Sequence, residues 1–314
     1  MTDFTSSIKS IILQTLHSIK KTDKADQNSK TKTSQLSSNL KSSPLMKSDE
    51  NELVEFDETP AYASSSDTKK TGGGSKDGEI NDTKQGSTGD CWLMSGINAL
   101  SYTDEGKKVI KDAIDYNNDG STTVHLKGFG DVQITSAELQ EAKNSDKFSK
   151  GDDDMLILEL AIRKVLDQLK ANGSKLDNAP PEVQKALQAT INADSEETIT
   201  GGFPIVAMYL LTGEYAQSET VSDAGSKADV DTILKEFENN NNKDMALTAC
   251  FDSDMSINDV SGIAVDIVGN HAYAVKEVKS GVVTLTNPWD SSKEINVSAD
   301  TLKASGCRVD YVKV

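Results

Sequence analysis

The sequence contains few cysteines, and it lacks the long apolar run of a membrane-spanning helix and the basic segment that begins a secretory signal peptide. Only three cysteines occur among its 314 residues, and so small and odd a number argues against a disulfide-stabilised scaffold. No run of about 18 apolar residues is present, so we expect no transmembrane helix. The first residues lack a basic segment followed by an apolar stretch, so we expect no secretory signal peptide. The compartment stays open between the cytoplasm and export by a route without such a signal.

Basic residues are also scarce relative to acidic ones. Lysine and arginine together number 33 against 50 aspartates and glutamates, which gives a formal net charge of −17. That charge argues against nucleic acid and against an anionic membrane surface as partners. The length is sufficient for one or two domains with a sizeable hydrophobic core.

The first quarter of the chain has the composition of a flexible arm. Apolar residues recur at helical spacing in residues 4–19 and predict a short amphipathic helix. Residues 22–80 are too polar to offset the entropy of ordering a chain, so we predict disorder there. One island, Leu53–Tyr62, has enough apolar residues to dock in an extended form. We therefore assign residues 1–76 to an arm, either a pro-segment cut in cis or a linker that carries a docking helix.

The remaining residues, 77–314, are predicted to form a globular α+β core. Helical patterns dominate up to about residue 213, and the strongest of them spans Asp152–Leu169. Alternating strand patterns take over from about residue 214. The predicted strands are Met245–Phe251, Asn270–Val278, Val282–Asn287, Lys293–Val297 and Arg308–Val314. A helix-rich part, about 77–213, thus precedes a strand-rich part, about 214–314.

Two acidic stretches resemble metal sites but have simpler explanations. Asp115–Gly120 copies the first half of a calcium loop, yet Leu126 stands where the closing acid is required. A hairpin turn is the favoured interpretation, with His125 as an ordinary strand residue. The carboxylates of residues 152–154 suit the first turn of a helix, where the dipole favours negative charge. We expect no required cofactor, and calcium binding stays possible without a complete motif.

The clearest chemical signal begins at Gln85. A loop of small residues separates Gln85 from Cys91, and an apolar helical pattern starts at Cys91. With Asp90 as the N-cap, Cys91 occupies the first turn, where the positive end of the helix dipole favours the reactive thiolate. The Gln85 amide, brought back by the loop, is expected to donate to a developing oxyanion. For Cys91 considered alone, a buried structural cysteine is the alternative.

A second signal lies far downstream, where His271 begins one predicted strand and Asn287 ends the next. A two-residue loop at Ser280-Gly281 would set Asn287 opposite Ala274, on the wrong face for His271. One bulge or one extra loop residue moves Asn287 to the face of His271, so we predict such an irregularity. The Asn287 carbonyl then fixes one imidazole tautomer and leaves the other nitrogen for Cys91. An incidental His and Asn on a hairpin is the alternative.

In combination, these blocks resemble the core of calpain-type cysteine proteases in the papain-like superfamily. The resemblance covers about residues 77–314. Its specific blocks are Gln85 with Gly89-Asp-Cys91-Trp-Leu, His271-Ala-Tyr, and Asn287-Pro-Trp289. Its supporting blocks are Leu156–Val165, similar to the helix beneath the nucleophile, and Gly201–Gly213, similar to the segment that joins the two lobes.

The resemblance implies a two-lobed papain-like fold, with a helical lobe at about 77–213 and a β-rich lobe at about 214–314. It implies hydrolysis of peptide bonds in protein or peptide substrates. Cys91 is then the nucleophile, His271 the general base and acid, Asn287 the residue that orients His271, and Gln85 an oxyanion donor. Trp289 matches the indole that covers the His–Asn hydrogen bond.

Two other functions remain open for the same residues. Acyl transferases of the transglutaminase or deamidase type resemble this Gly-x-Cys-Trp helix start with a downstream His. The third member of their catalytic triad, after Cys and His, is usually Asp. Asn287 at this position therefore favours the protease. An inactive binding module on a protease fold is disfavoured, because Gln85, Cys91, His271 and Asn287 fill all four site positions.

Overall fold

The computed structural model describes residues 77–173, 176, 178–192, 198–220 and 230–314. The predicted helix at 4–19, the apolar island Leu53–Tyr62 and the rest of the arm up to residue 76 lie outside these residues. Residues 77–80, which the composition assigned to the disordered stretch, are held against the globular part. The backbone N–H groups of Asp77 and Gly78 donate to Asp154 Oδ2 at 3.1 and 2.8 Å. The disorder prediction was therefore wrong for these residues, because a buried carboxylate from another element anchors them.

The described chain forms a mixed α+β fold, as predicted. Its helices are α1 (Cys91–Ser101), α2 (Asp104–Asp112), α3 (Ser136–Lys143), α4 (Asp153–Asn172), α5 (Pro181–Ile191), α6 (Pro204–Thr212), α7 (Val230–Asn240) and α8 (Ala299–Ala304). Its strands are β1 (Ile114–Tyr116), β2 (Thr122–Leu126), β3 (Gly130–Ile134), β4 (Gln217–Thr220), β5 (Met245–Phe251), β6 (Met255–Asn258), β7 (Ala264–Ile267), β8 (His271–Lys279), β9 (Val282–Asn287), β10 (Asp290–Ser298) and β11 (Arg308–Lys313).

The strands form antiparallel sheets. A three-stranded sheet has the order β1-β2-β3, a six-stranded sheet the order β10-β9-β8-β5-β11-β4, and β6 pairs with β7. Helices α1 and α6 contact one face of the six-stranded sheet, and α7 contacts the other. The sheet therefore places the helix that begins at Cys91 directly against the strand that begins at His271.

The central strands of this sheet are buried on both faces, which explains the continuous apolar run in β5. On one face, Ala246 and Ala274 belong to the core that the helices of the first half form. On the other face, Leu247 and Val275 belong to a second core with Phe237 of α7. Small alanines on the α1 side let the helix approach the sheet closely, and larger side chains fill the other side.

Helix α4 begins as its acidic run predicts. Asp152 is the N-cap, and its Oδ1 accepts hydrogen bonds from the backbone N–H groups of Asp154 and Met155 at 2.9 and 3.0 Å. The helix runs three residues beyond the predicted Leu169 and ends before Gly173, whose φ of 58° is left-handed. The interpretation of residues 152–154 as a helix start is confirmed.

Several short elements were missed by the sequence patterns, namely α3, β4, the β6–β7 hairpin and α8. Helix α3 carries a readable signal, because Thr135 and Glu138 form a capping box around its first turn. Helix α2 ends at Asp112, and Ile114 pairs with Val124 of β2. These elements are too short for hydrophobic periodicity to define them.

The acidic turn at residues 115–120 connects β1 to β2, so the predicted hairpin is confirmed. Asp115 itself lies on β1, and its Oδ2 is 3.0 Å from His125 Nε2. Asp131 on β3 approaches the other ring nitrogen, with Oδ1 at 2.7 Å from Nδ1. His125 is thus a strand residue, as predicted, and its ring also links all three strands of this sheet.

Replacing His125 with glutamine should remove a pH-dependent part of the stability. Hydrogen bonds to Asp131 and then to Asp115 raise the pKa of His125 above its ordinary value of 6.5. A raised folded-state pKa adds stability that is fully present below the unfolded pKa and is lost as the pH rises through the folded one. We expect the wild type to exceed His125→Gln in free energy of unfolding at about pH 5.5, and the difference to close by about pH 8.5.

Urea unfolding of both proteins at the two pH values measures this difference. Thr123→Ala on the same strand is the control, since it removes side-chain contacts but no titratable group. A difference that is equal at both pH values, or larger at the higher one, contradicts the electrostatic role of His125.

Candidate active site

Cys91 is the first residue of α1, and every following residue of that helix is buried. The indole Nε1 of Trp92 donates to the Ile199 carbonyl at 2.9 Å. Gly202 lies so close to this ring that a Cβ there would be 2.5 Å from Trp92 Cε2. The segment around residues 199–202 thereby fixes the start of the helix from one side, and Cys91 remains only half-buried.

Asp90 occupies the N-cap position, but its side chain makes no capping hydrogen bond. Asp90 is thus at the predicted N-cap position, but the predicted hydrogen bond from its side chain to the helix start is not made. Asp90 is instead turned inward and is 1% exposed.

The loop that carries Gln85 is held by backbone contacts with residues 146–148. Ser87 N–H donates to the Asp146 carbonyl at 2.8 Å, and Thr88 N–H donates to the Lys147 carbonyl at 3.1 Å. Gly86 is required there, because a Cβ would lie 2.3 Å from the Lys147 carbonyl oxygen. The sequence predicted a loop of small residues, and the close approach of these two backbones explains the glycine.

The Gln85 side chain points towards the loop and Asp90. Its Nε2 donates to the Thr88 carbonyl at 2.7 Å, and the side chain lies within hydrogen-bonding reach of Asp90. The Gln85 Oε1 atom is buried and has no hydrogen-bond partner among the described residues. Its amide is thus close to Cys91 but engaged with its own loop.

The segment before Gln85 is joined directly to the segment after Asn287. Gln85 N–H donates to the Pro288 carbonyl at 2.8 Å, and Ser291 N–H donates to the Thr83 carbonyl at 3.0 Å. Thr83 N–H also donates to Ser291 Oγ at 2.8 Å. Two segments separated by some two hundred positions in the sequence are therefore hydrogen-bonded to each other beside the site.

The register of β8 and β9 brings Asn287 to the face of His271. Lys279 pairs with Val282, and the two residues between them have φ values of 51° and 74°, as in a type I′ turn. The register then shifts between Glu277 and Val275, so that Lys276 is bulged out. The predicted irregularity is confirmed, and it is a bulge and not a longer loop.

The hydrogen bonds of Asn287 determine the tautomer of His271. His271 Nε2 and Asn287 Oδ1 are 2.9 Å apart, and the backbone N–H of Trp289 donates to the same oxygen at 3.0 Å. A backbone N–H is only a donor, so the atom it meets is the amide oxygen and not the amide nitrogen. The oxygen then requires a proton on Nε2, which leaves Nδ1 as the basic nitrogen.

The imidazole is packed between two aromatic rings. The Trp289 ring lies 4.8 Å from the His271 ring and is tilted by 47°, and Tyr273 meets it edge-on at 5.0 Å. Burial lowers the pKa of His271, and the hydrogen bond to Asn287 offsets only part of that effect. The ring is therefore favoured in its neutral form, which a general base requires. Trp289 itself is half exposed and forms a lid over the His–Asn pair.

Cys91 meets β8 at the residue that follows His271. Its sulfur lies within hydrogen-bonding reach of the Ala272 backbone N–H. Burial is the largest cause that raises the pKa of the Cys91 thiol to about 11; the Ala272 N–H opposes this rise, and negative charge on Asp90 would add to it. The backbone N–H groups of Cys91 and Trp92 lower this pKa, as expected at a helix start, but desolvation outweighs them. Activation of the thiol consequently needs a base.

The sequence patterns missed one component, the buried carboxyl of Glu159 on α4. Glu159 is fully buried, its Oε2 accepts the Ser149 backbone N–H at 2.9 Å, and its carboxyl group lies beside that of Asp90. A signal was present, since Glu159 interrupts an otherwise apolar run from Met155 to Ile162. A lone acid inside a buried helix requires a partner.

Neither a metal-binding cluster nor a membrane-spanning helix is found among the described residues. Among them, no group of three or more His, Cys, Asp or Glu side chains is arranged to hold a metal ion. No helix in the described ranges has both the length and the apolar character needed to cross a bilayer. The two other cysteines, Cys250 and Cys307, are free and buried.

Comparison of the chain with models of protein families and with curated proteins gives no match.

Deleting Lys276 should remove the bulge and keep the His271–Asn287 pair. Counted from the two-residue turn, the shortened strand still sets Val275 opposite Leu285, and hence Asn287 opposite Tyr273 on the face of His271. We therefore expect the His271 ring of the deletion variant to keep its single tautomer in nitrogen NMR spectra.

Lys276→Ala is the matched control. It removes the same side-chain contacts with Glu294 and the Tyr102 ring but keeps the bulge. Loss of the single tautomer in the deletion variant but not in Lys276→Ala would show that the pair needs the bulge itself and not only the register that it sets.

Proposed function

We propose that the chain is a calpain-like cysteine endopeptidase of the papain-like superfamily, which cleaves peptide bonds through an acyl-thioester on Cys91. The observation that supports this most is the fixed tautomer of His271. Asn287 Oδ1, held by Trp289 N–H, leaves Nδ1 unprotonated on a ring beside a cysteine at a helix start. This is the division of roles in nucleophile–base–orienter sites.

The reaction begins from a neutral thiol and a neutral imidazole. The basic Nδ1 of His271 takes the thiol proton as Cys91 Sγ bonds to the substrate carbonyl carbon, and the carbonyl oxygen becomes the oxyanion. His271 then gives that proton to the leaving amine as the C–N bond breaks, and the thioester remains. Water attacks the thioester, His271 accepts its proton and returns it to the sulfur, and the carboxylic acid product leaves.

Two donors are available for the oxyanion. The backbone N–H of Cys91 lies in the first turn of α1, where N–H groups have no intrahelical carbonyl partner. The second donor is the Gln85 amide, which exchanges a contact with its own loop for the oxyanion as charge develops. Both donors stand at the positive end of the helix dipole, where negative charge is favoured.

The division into a helix-rich and a strand-rich part supports a papain-like two-lobed arrangement as the frame of this site. In that frame Cys91 belongs to the helical lobe, at about 77–213, and His271 and Asn287 to the β-rich lobe, at about 214–314. Substrate binds between them. The Trp289 ring excludes water from the His–Asn pair.

Single substitutions should rank the four residues by role. Cys91→Ala and His271→Ala should abolish casein cleavage, because they remove the nucleophile and the base. Gln85→Ala should lower kcat by about 10²–10³, the usual cost of losing one oxyanion donor. Asn287→Ala should have a smaller effect than His271→Ala, because nucleophile and base remain.

Cys307→Ala is the matched control, since its thiol is buried and donates to the Leu302 carbonyl. Cleavage that survives in Cys91→Ala overturns the mechanism. Incorporation of a fluorescent amine into casein without hydrolysis would instead assign the same residues to the alternative acyl-transferase function.

Activity should survive removal of calcium. Direct backbone hydrogen bonds already join the Gln85 segment to the Asn287 segment, through Thr83 with Ser291 and through Gln85 with Pro288. A cation is therefore not needed to bring these segments together. We expect casein cleavage in excess EGTA to stay within about twofold of the untreated rate, well below the effect of losing any site residue. Complete loss in EGTA, reversed by calcium but not by magnesium, contradicts this.

A further inference from the structure

Two buried carboxyl groups stand directly behind the nucleophile. Asp90 precedes Cys91 and is 1% exposed, and Glu159 on α4 is 0% exposed. Asp90 Oδ1 and Glu159 Oε1 are both buried and find no hydrogen-bond donor among the described residues. The two carboxyl groups lie within hydrogen-bonding reach of each other. Ionised carboxyls only accept hydrogen bonds, so this contact is favourable only when one of the two carries a proton.

Burial makes a single shared proton the favoured state. Desolvation and then the charge of Glu159 raise the pKa of Asp90, and desolvation raises the pKa of Glu159. Two like charges at such a distance in a dry interior cannot both persist at neutral pH. One proton between the two groups removes one charge and supplies the missing donor.

The surroundings decide which group keeps the negative charge. The second oxygen of Glu159 accepts the Ser149 N–H at 2.9 Å, and Arg163, one helix turn further on, favours the Glu159 anion through its charge. Asp90 faces the Cys91 thiol, and Gln85 is the side-chain donor within its reach. Negative charge is therefore better stabilised on Glu159 than on Asp90.

We propose that Asp90 is the protonated member of a buried acid–carboxylate pair with Glu159, and that this pair is a positioning device that keeps negative charge away from Cys91. An effect of this pair on catalysis rests on the proposed function, because the charge near Cys91 affects the reaction only if Cys91 is the nucleophile. The pair also ties the Cys91 helix start to α4 and, through Ser149, to the segment that supports the Gln85 loop.

The position of the proton affects both neighbours of Asp90. An Asp90 anion would raise the pKa of the Cys91 thiol, whereas a neutral Asp90 does not. A neutral Asp90 also accepts the Gln85 amide more weakly than an anion does, since hydrogen bonds to charged groups are stronger. The Gln85 amide is then easier to release to an oxyanion.

Two isosteric variants distinguish the members of the pair. Asp90→Asn imitates the protonated state, because its amide donates to the Glu159 carboxylate and no charge moves. Glu159→Gln donates to Asp90 and leaves Asp90 as the anion beside Cys91. Both are made in the His271→Ala background, and the rate of Cys91 alkylation by iodoacetamide is followed against pH by peptide mass spectrometry. Without His271, this profile reports the ionisation of the thiol alone.

We expect Asp90→Asn to leave the alkylation profile unchanged within about twofold. Glu159→Gln should move it to higher pH by about one unit or more, since a like charge within about 4–6 Å shifts a pKa by about 1–3 units. In otherwise wild-type protein, Glu159→Gln should lower kcat/KM by about tenfold or more, and Asp90→Asn should retain it. Infrared spectra of the wild type at neutral pH should show a protonated-carboxyl carbonyl band that both variants lose.

A shift in Asp90→Asn with none in Glu159→Gln would place the proton on Glu159 and overturn the proposal. Absence of the infrared band in the wild type would show two carboxylates and also overturn it. If Glu159→Gln fails to fold, the infrared band and the unchanged profile of Asp90→Asn still decide the matter. None of these measurements needs proteolysis, so a protein that cleaves no peptide can still show the shared proton, and an active protease can still lack it.

Discussion

The register between β8 and β9 is the constraint on which the candidate site depends. Side chains alternate across a strand, so a change of one residue would move Asn287 from the face of His271 to the opposite face. The two-residue turn by itself sets the wrong parity, and the bulge at Lys276 corrects it. The bulged side chain pairs with Glu294 and lies 5.8 Å from the centre of the Tyr102 ring, so it is held on both sides. A feature of the backbone thus determines which nitrogen of an imidazole is basic.

Buried polar contacts then join three distant segments of the chain around this hairpin. Thr83 and Ser291 connect the Gln85 segment to the start of β10, and Glu159 connects α4 to the segment that supports the Gln85 loop. A buried polar group without a partner costs about 1–3 kcal/mol, so each of these contacts resists separation of the segments it joins. Desolvation has a further effect, because it favours neutral Cys91 and neutral His271. Both groups are therefore favoured in their neutral forms in the resting site, and a preformed ion pair is disfavoured.

Much of this arrangement could be predicted from the sequence because it depends on local pattern and parity. The apolar period identified α4, the apolar run identified β5, and counting residues between His271 and Asn287 required either a bulge or an extra loop residue. Other features could not be predicted in this way. The inward turn of Asp90 and the close approach of Gly86 to Lys147 depend on contacts between segments far apart in the sequence. The raised pKa of Cys91 likewise reflects burial by the whole fold, which overrides the local helix dipole that the sequence indicates.

The proposed function depends on Cys91 and His271 acting together in acyl transfer. A single-turnover experiment mixes the protein with the p-nitrophenyl ester of a blocked peptide, quenches the reaction in acid within the first turnover and locates the acyl group by peptide mass spectrometry. We expect a burst of nitrophenol equal to the protein concentration, with the acyl mass on the Cys91 peptide. We expect neither burst nor adduct in His271→Ala, if the two residues act together. An acyl group on another residue, or an equal Cys91 adduct in His271→Ala, would contradict it.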